Sequence, residues 1–345
     1  MNVSINTFGQ LPNGEEAKIF RFESSEGLTI CITNYGGIIT SIKTPDRVGN
    51  IEEISAGFSS LDQYLNGHPF FGTIVGRFAN RIAKGHFNID GNSYNLPINN
   101  SPNHLHGGDN GFHTKLWDFE IKEADGLAKL KLTYSSPHLE EGYPGNLKAT
   151  VTYTVFDNNS VDIEFSAQAD APTHVNLTSH GYFNLGAFKD KIYDHQLFVN
   201  ADQYLEIDDT QIPTGKFATC KGSHFDFSQT KELKDSVLSI PGGLDHCYVL
   251  RNGKGFEIPA AELIHKASGR KLSVYCTNPG IQVYSGNSLD GSITGHNATV
   301  YHKHMAICLE MQHFPDTPNQ NHFPSTRLNP GEMYYQKARL VFSIE

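Results

Sequence analysis

The chain has 345 residues, with 37 acidic against 27 basic side chains and a formal net charge of −10 at pH 7. That balance argues against nucleic acid or an anionic membrane surface as a partner, because phosphate binding needs clustered Lys and Arg. With 38% hydrophobic and 19% charged residues, the chain is too apolar to be disordered and long enough to bury a core without staples.

In chain order the rhythm is short and of period two. Residues 1–6 carry neither a basic region nor an apolar core, so no secretory leader is expected and a cytoplasmic location is. Alternating apolar residues predict strands over 18–23 and 28–32. A short helix is expected over 61–65. Residues 87–89 and 93–96 flank Asp90-Gly91-Asn92, which has the composition of a hairpin turn. A further strand is expected over 129–134. Strands over 150–155 and 161–165 flank Asp157-Asn158-Asn159-Ser160, a second hairpin. A helix is expected within 230–238 and a last strand over 337–342. No run of ~18 apolar residues occurs, so no membrane-spanning helix is expected. Neither a linker nor a repeat breaks the chain. The expected fold class is all-β, a single large antiparallel β-sandwich domain over 1–345 with few short helices. The five cysteines stand singly, which suits small buried side chains better than disulfides or zinc.

Common catalytic signatures are missing. No nucleophile elbow, phosphate loop or dinucleotide fingerprint is present. Two H-x-H pairs, His104/His106 and His302/His304, could grip a metal from one strand face. The turn-like Gly107-Gly108-Asp109 that follows the first pair supplies no Glu, so neither metal nor cofactor is expected. Four segments look unlike ordinary sandwich sequence: residues 76–85 with Arg77 and Arg81, residues 102–108, the polar stretch 176–185, and residues 307–316. In the last, Glu310 sits at the end of an apolar strand, where a carboxylate is costly to bury without a partner.

Together these segments resemble the aldose 1-epimerase, or galactose mutarotase, family. The resemblance runs from Asn34-Tyr35-Gly36-Gly37 to residues 327–332. It passes through Glu141-Gly142-Tyr143-Pro144-Gly145, Gly243-Leu244-Asp245-His246 and residues 279–284. It implies a β-sandwich with a concave sugar-binding face, of the mutarotase supersandwich kind. It also implies interconversion of the α and β anomers of a free hexose, D-galactose or D-glucose. Position by position, Glu310 matches the general base, His180 the general acid and His106 the second histidine. Asp245 matches the carboxylate that grips sugar hydroxyls. Arg81, 25 residues before His106, matches the substrate-binding arginine, in preference to Arg77. Asn80 and Gln282 fall in matching segments as further sugar contacts. Ser179, Gly181 and Met311 depart from the usual neighbours. On a strand they face away from the site.

The implied reaction opens a hemiacetal and closes it on the other face. A base takes the anomeric proton while an acid gives one to the ring oxygen. Free histidine titrates near ~6.5, which makes imidazolium available at cellular pH. The implied partner is a monosaccharide, with the protein a monomer or homodimer. A hexose-6-phosphate epimerase would want more basic residues. A carbohydrate-binding module would need no acid–base pair. A glycoside hydrolase would need two carboxylates about one bond.

Overall fold

The computed structural model describes residues 1–251 and 256–345, and almost all of its regular structure is strand. Three antiparallel sheets dominate. The first five strands form a meander from Asn2–Gln10 to Ile51–Glu53. A nine-stranded sheet holds Leu127–Ser136, Leu147–Phe156, Ser160–Ala169, Arg270–Cys276 and the last strand, Tyr334–Ile344. A six-stranded sheet runs in the order Tyr182–Phe183, Ile307–Gln312, Gly280–Tyr284, Asp245–Leu250, Ala201–Ile207 and Pro213–Thr219.

Side-chain alternation explains how these sheets pack. Val151, Ile163 and Leu340 of the nine-stranded sheet share one buried cluster with Ile281, Val283, Leu309 and Met311 of the six-stranded sheet. Phe20, Ile30 and Ile42 of the meander join the same cluster. Each such side chain, fully buried, contributes roughly 1.5–3 kcal/mol relative to exposure. This is the sandwich that the alternating pattern predicts.

The local expectations also appear. The helices are Leu61–Leu65 and Leu233–Ser239, the second opening after a two-residue strand, Lys231–Glu232. The first expected hairpin pairs His86–Ile89 with Asn92–Asn95. Its turn is the Asp90-Gly91 pair alone, at φ 51° and 80°, the left-handed pair that a tight two-residue hairpin requires. The second pairs Leu147–Phe156 with Ser160–Ala169. No helix among the described residues is long and apolar enough to cross a membrane.

The fold positions the site through the outer face of the six-stranded sheet. Leu309 and Met311 point to the core. Glu310 between them must therefore point the other way. Gln282 lies directly beside Glu310 on the next strand, and Cys247 beside Gln282 on the strand after that. Asp245, two residues before Cys247, emerges on the same face.

Candidate active site

That outer face floors a pocket of about 410 Å³. Six of the seven residues singled out from sequence line it: Glu310, His180, His106, Arg81, Asp245 and Asn80. The seventh, Gln282, is not in the wall. It is buried beneath and donates Nε2–H to Asp245 Oδ1 at 2.6 Å. It holds the carboxylate through this bond, while its own Oε1 has no hydrogen-bond partner among the described residues.

Glu310 and His180 face each other, with His180 Nε2 3.5 Å from Glu310 Oε2. His180 is fixed by its backbone: its N–H donates to Thr73 O and its C=O accepts from Gly72 N–H, both at 2.9 Å. Arg81 and His106 come from neighbouring segments, since Arg81–Ile82 pairs with His104–Leu105. His106 then turns at φ 52°. Its Nδ1 accepts from the Asn80 backbone N–H at 3.2 Å. The ring proton is therefore on Nε2, available to donate elsewhere. Asn80 Oδ1 accepts from the Arg81 backbone N–H at 2.8 Å, and Arg81 Nε donates to Asn100 Oδ1 at 3.1 Å.

Burial sets the proton affinities. The Glu310 carboxyl is pushed well above the usual range by desolvation, with the nearby Asp245 charge adding and Arg81 opposing. Asp245 is also raised by burial, against Arg81, Gln282 and Gln211. Burial pushes His180 down to about 3 and His106 well below its ordinary value, with its histidine neighbours and Arg81 adding. Burial thus favours the neutral imidazole of His180 over its cation more strongly than water does for a free histidine. The oxygen Glu310 Oε2 and the nitrogen His180 Nδ1 are buried without a hydrogen-bond partner among the described residues.

Arg77 lies outside the pocket. Its guanidinium donates to four backbone carbonyls, of Ser136, Pro137, Pro144 and Gly145, and to Ser136 Oγ. It fastens loops, and Arg81 is the arginine in the pocket.

A family model described as "Aldose 1-epimerase" matches residues 18–340. The galactose mutarotase of Sus scrofa is 43% identical, covering 100% of this chain and 99% of that protein. The chain belongs to the aldose 1-epimerase family. The aldose 1-epimerase of Escherichia coli (strain K12) is 31% identical over 97% of each chain. A solved aldose epimerase homologue from C. elegans is 31% identical, with a TM-score of 0.87, covering 94% of this chain and 98% of that one.

Several residues of this aldose 1-epimerase pocket are not singled out by the sequence. Gln211 donates Nε2–H to Asp245 Oδ2 at 3.2 Å, so both oxygens of that carboxylate are held. Phe70, Asn100, Tyr284 and Asn287 also line the pocket. All but Tyr284 sit outside strands, on loops that the fold alone brings together. Tyr182 lines the pocket, whereas Phe314 packs away from it against Phe323 and Cys247. Ser179, Gly181 and Met311 line a closed apolar space behind the sheet, so the departures from the usual neighbours lie off the site.

Neither H-x-H pair is set up to hold a metal. His104 Nδ1 donates to Pro97 O, and its Nε2 accepts from the Tyr143 hydroxyl, both at 2.8 Å. His304 Nδ1 is bonded to the Tyr193 hydroxyl, and His302 is exposed. The donor atoms of His106, His180 and Glu310 lie within 4.8 Å of one another, as do those of Asp194, His195 and His265. In the second group His195 Nε2 accepts from the Leu185 N–H at 2.9 Å. The His195 proton therefore sits on Nδ1, directed at Asp194, where a cation would need a lone pair. The first group could take a cation, but acid–base chemistry there requires none.

Proposed function

We propose that this chain interconverts the α and β anomers of free aldohexoses, with D-galactose and D-glucose as substrates, using Glu310 as base and His180 as acid. The observation that carries this reading is the 3.5 Å approach of His180 to Glu310 in a pocket walled by Arg81, His106 and Asp245. The fold and the relatives make the chain an isomerase of sugar anomers; the residue roles are our own assignment.

In this reaction Glu310 takes the proton from O1. The C1–O1 bond becomes a carbonyl, the C1–O5 bond breaks, and O5 takes a proton from His180. After rotation about C1–C2 the steps reverse, and each group recovers its starting charge. The acid–base pair holds one exchangeable proton. Burial raises the proton affinity of Glu310 and lowers that of His180, which favours the form with the proton on Glu310. The reactive form carries it on His180. Entry of the sugar therefore needs a proton shift within the pair, with no proton from bulk water. Arg81 and Asp245 supply the bidentate donors and acceptors that fix hydroxyls, and His106 offers Nε2–H.

Among the described residues, Arg81 is the one Lys or Arg in the pocket wall. A sugar phosphate would meet Asp245 and Glu310 with little to neutralise it, so free sugars are the better fit. The continuous cluster shared by the three sheets supports one domain over 1–345.

The test is exchange NMR on equilibrated sugars, following magnetisation transfer between the α and β H1 signals. Enzyme-dependent exchange is expected for galactose and glucose, lost in His180→Asn. Exchange for galactose 6-phosphate alone would overturn the substrate assignment.

A further inference from the structure

One aromatic residue of the pocket has no place in the acid–base scheme, and its backbone is strained. Phe70 has φ 61°, a left-handed conformation that is an outlier for a bulky side chain. The loop that carries it is bonded tightly. The Phe70 N–H donates to His68 O at 2.9 Å, and its C=O accepts from the Thr73 N–H at 3.2 Å. Gly72 and Thr73 of the same loop make the two backbone bonds to His180. Phe70 and the candidate acid are thus built as one unit.

The ring geometry shows what the strain achieves. The Phe70 ring lies 6.1 Å from the His180 imidazole at an interplanar angle of 16°. Tyr182 lies 5.0 Å from the same imidazole at 11°. Two aromatic faces are therefore nearly parallel to the one ring that must become a cation. Phe70 is itself held edge-on by His113, with centroids 4.8 Å apart, and touches His106 at 4.6 Å.

We infer that Phe70 is a positioning residue for the reaction: with Tyr182 it aligns the His180 ring toward Glu310 and stabilises its imidazolium form through its π face. An aromatic face carries negative charge density, so a stacked cation is favoured over the neutral ring. The groups that bear on His180 are Glu310 in front, His106 beside it, His68 behind the loop, and Arg81 and Asp245 across the pocket. Of these only the carboxyls favour the cation. The two aromatic faces add to them without adding charge to the pocket. The inference rests on the acid role given to His180 above.

The test compares Phe70→Leu with Phe70→Tyr in polarimetric assays on galactose. Leucine keeps apolar bulk without a π face; tyrosine restores the face. Phe70→Leu should lower kcat about tenfold, with KM changed much less, and Phe70→Tyr should stay within about twofold of wild type. Wild-type kcat in Phe70→Leu would overturn the inference, as would equal losses in both variants. A readout needing no variant is the NMR spectrum of the wild-type protein. The carbon-bound ring protons of His180 should be displaced upfield by the two flanking rings, and unshifted signals would contradict the stack. Glu310→Gln runs alongside. If it keeps its activity, the acid–base reading fails; if it is inactive while Phe70→Leu is normal, only the role of Phe70 fails.

Discussion

Glu310 is asked both to be buried and to ionise, and its substitution should show both demands. Glu310→Gln should cut kcat by about 10²–10⁴, the usual contribution of one proton-transfer group. It should also stabilise the protein. Near pH 4 both the folded and the unfolded chain hold this carboxyl protonated. As pH rises, the unfolded chain ionises while the folded carboxyl, raised by burial and by Asp245, resists. Stability is lost across that window in wild type and kept in the variant. Thermal melts should therefore show a Tm gain of ~2 °C or more at pH 7–8 and none near pH 4; a loss of Tm at pH 7 would contradict the burial argument. Asp245 gives a matching prediction. Asp245→Asn removes the neighbouring negative charge, so the alkaline limb of the kcat profile should move to lower pH. An unmoved limb would show that Asp245 does not bear on the titrating pair. Glu310 was legible in sequence because a carboxylate in an apolar strand conflicts with its surroundings, and Asp245 through the family resemblance of residues 243–246. Phe70 was not, because its importance lies in a backbone angle and two ring contacts that no spacing encodes.

At the scale of elements, strand alternation separates chemistry from stability by one residue. Leu309 is in the core and Glu310 is in the pocket. Leu309→Ala should cost about 2–5 kcal/mol of stability and leave kcat near wild type, the reverse of Glu310→Gln. Denaturant unfolding and rate assays on the two variants check this directly; a rate loss in Leu309→Ala matching that in Glu310→Gln would contradict it. The long strands and the Asp90-Gly91 hairpin were readable because period two and turn chemistry act over a few adjacent residues. The two-residue strands were not. Arg81–Ile82, His104–Leu105 and Tyr182–Phe183 exist only because a distant partner meets them. The same limit explains Gln282: its segment was found, but its role as the support of Asp245 depends on which strands pair.

For the whole molecule, burial of histidine sets the response to acid. Ten of the 17 histidines are pushed below their ordinary value chiefly by burial: His68, His104, His106, His113, His174, His180, His195, His246, His304 and His313. Below pH ~6.5 the unfolded chain protonates these rings while the folded chain does not, so stability falls with pH at ~1.4 kcal/mol per unit for each. Even a part of that sum rivals a net stability of about 5–15 kcal/mol. Circular dichroism should show a steep fall in Tm from pH 7 to 5 and cooperative unfolding on further acidification; a flat Tm over that range would contradict it. The depth at which each histidine sits was not legible in the sequence, because it depends on how distant segments pack. The sandwich as a class was legible from alternation, whereas the strand orders that floor the pocket come from long-range pairing.

The acid–base pair is the central claim, and optical rotation tests it most directly. Freshly dissolved α-D-galactose is followed with wild-type protein, with Glu310→Gln and with buffer alone. Fast relaxation to the equilibrium rotation is expected with wild type, and a rate close to buffer with Glu310→Gln at unchanged fold. Relaxation by Glu310→Gln as fast as by wild type would contradict it.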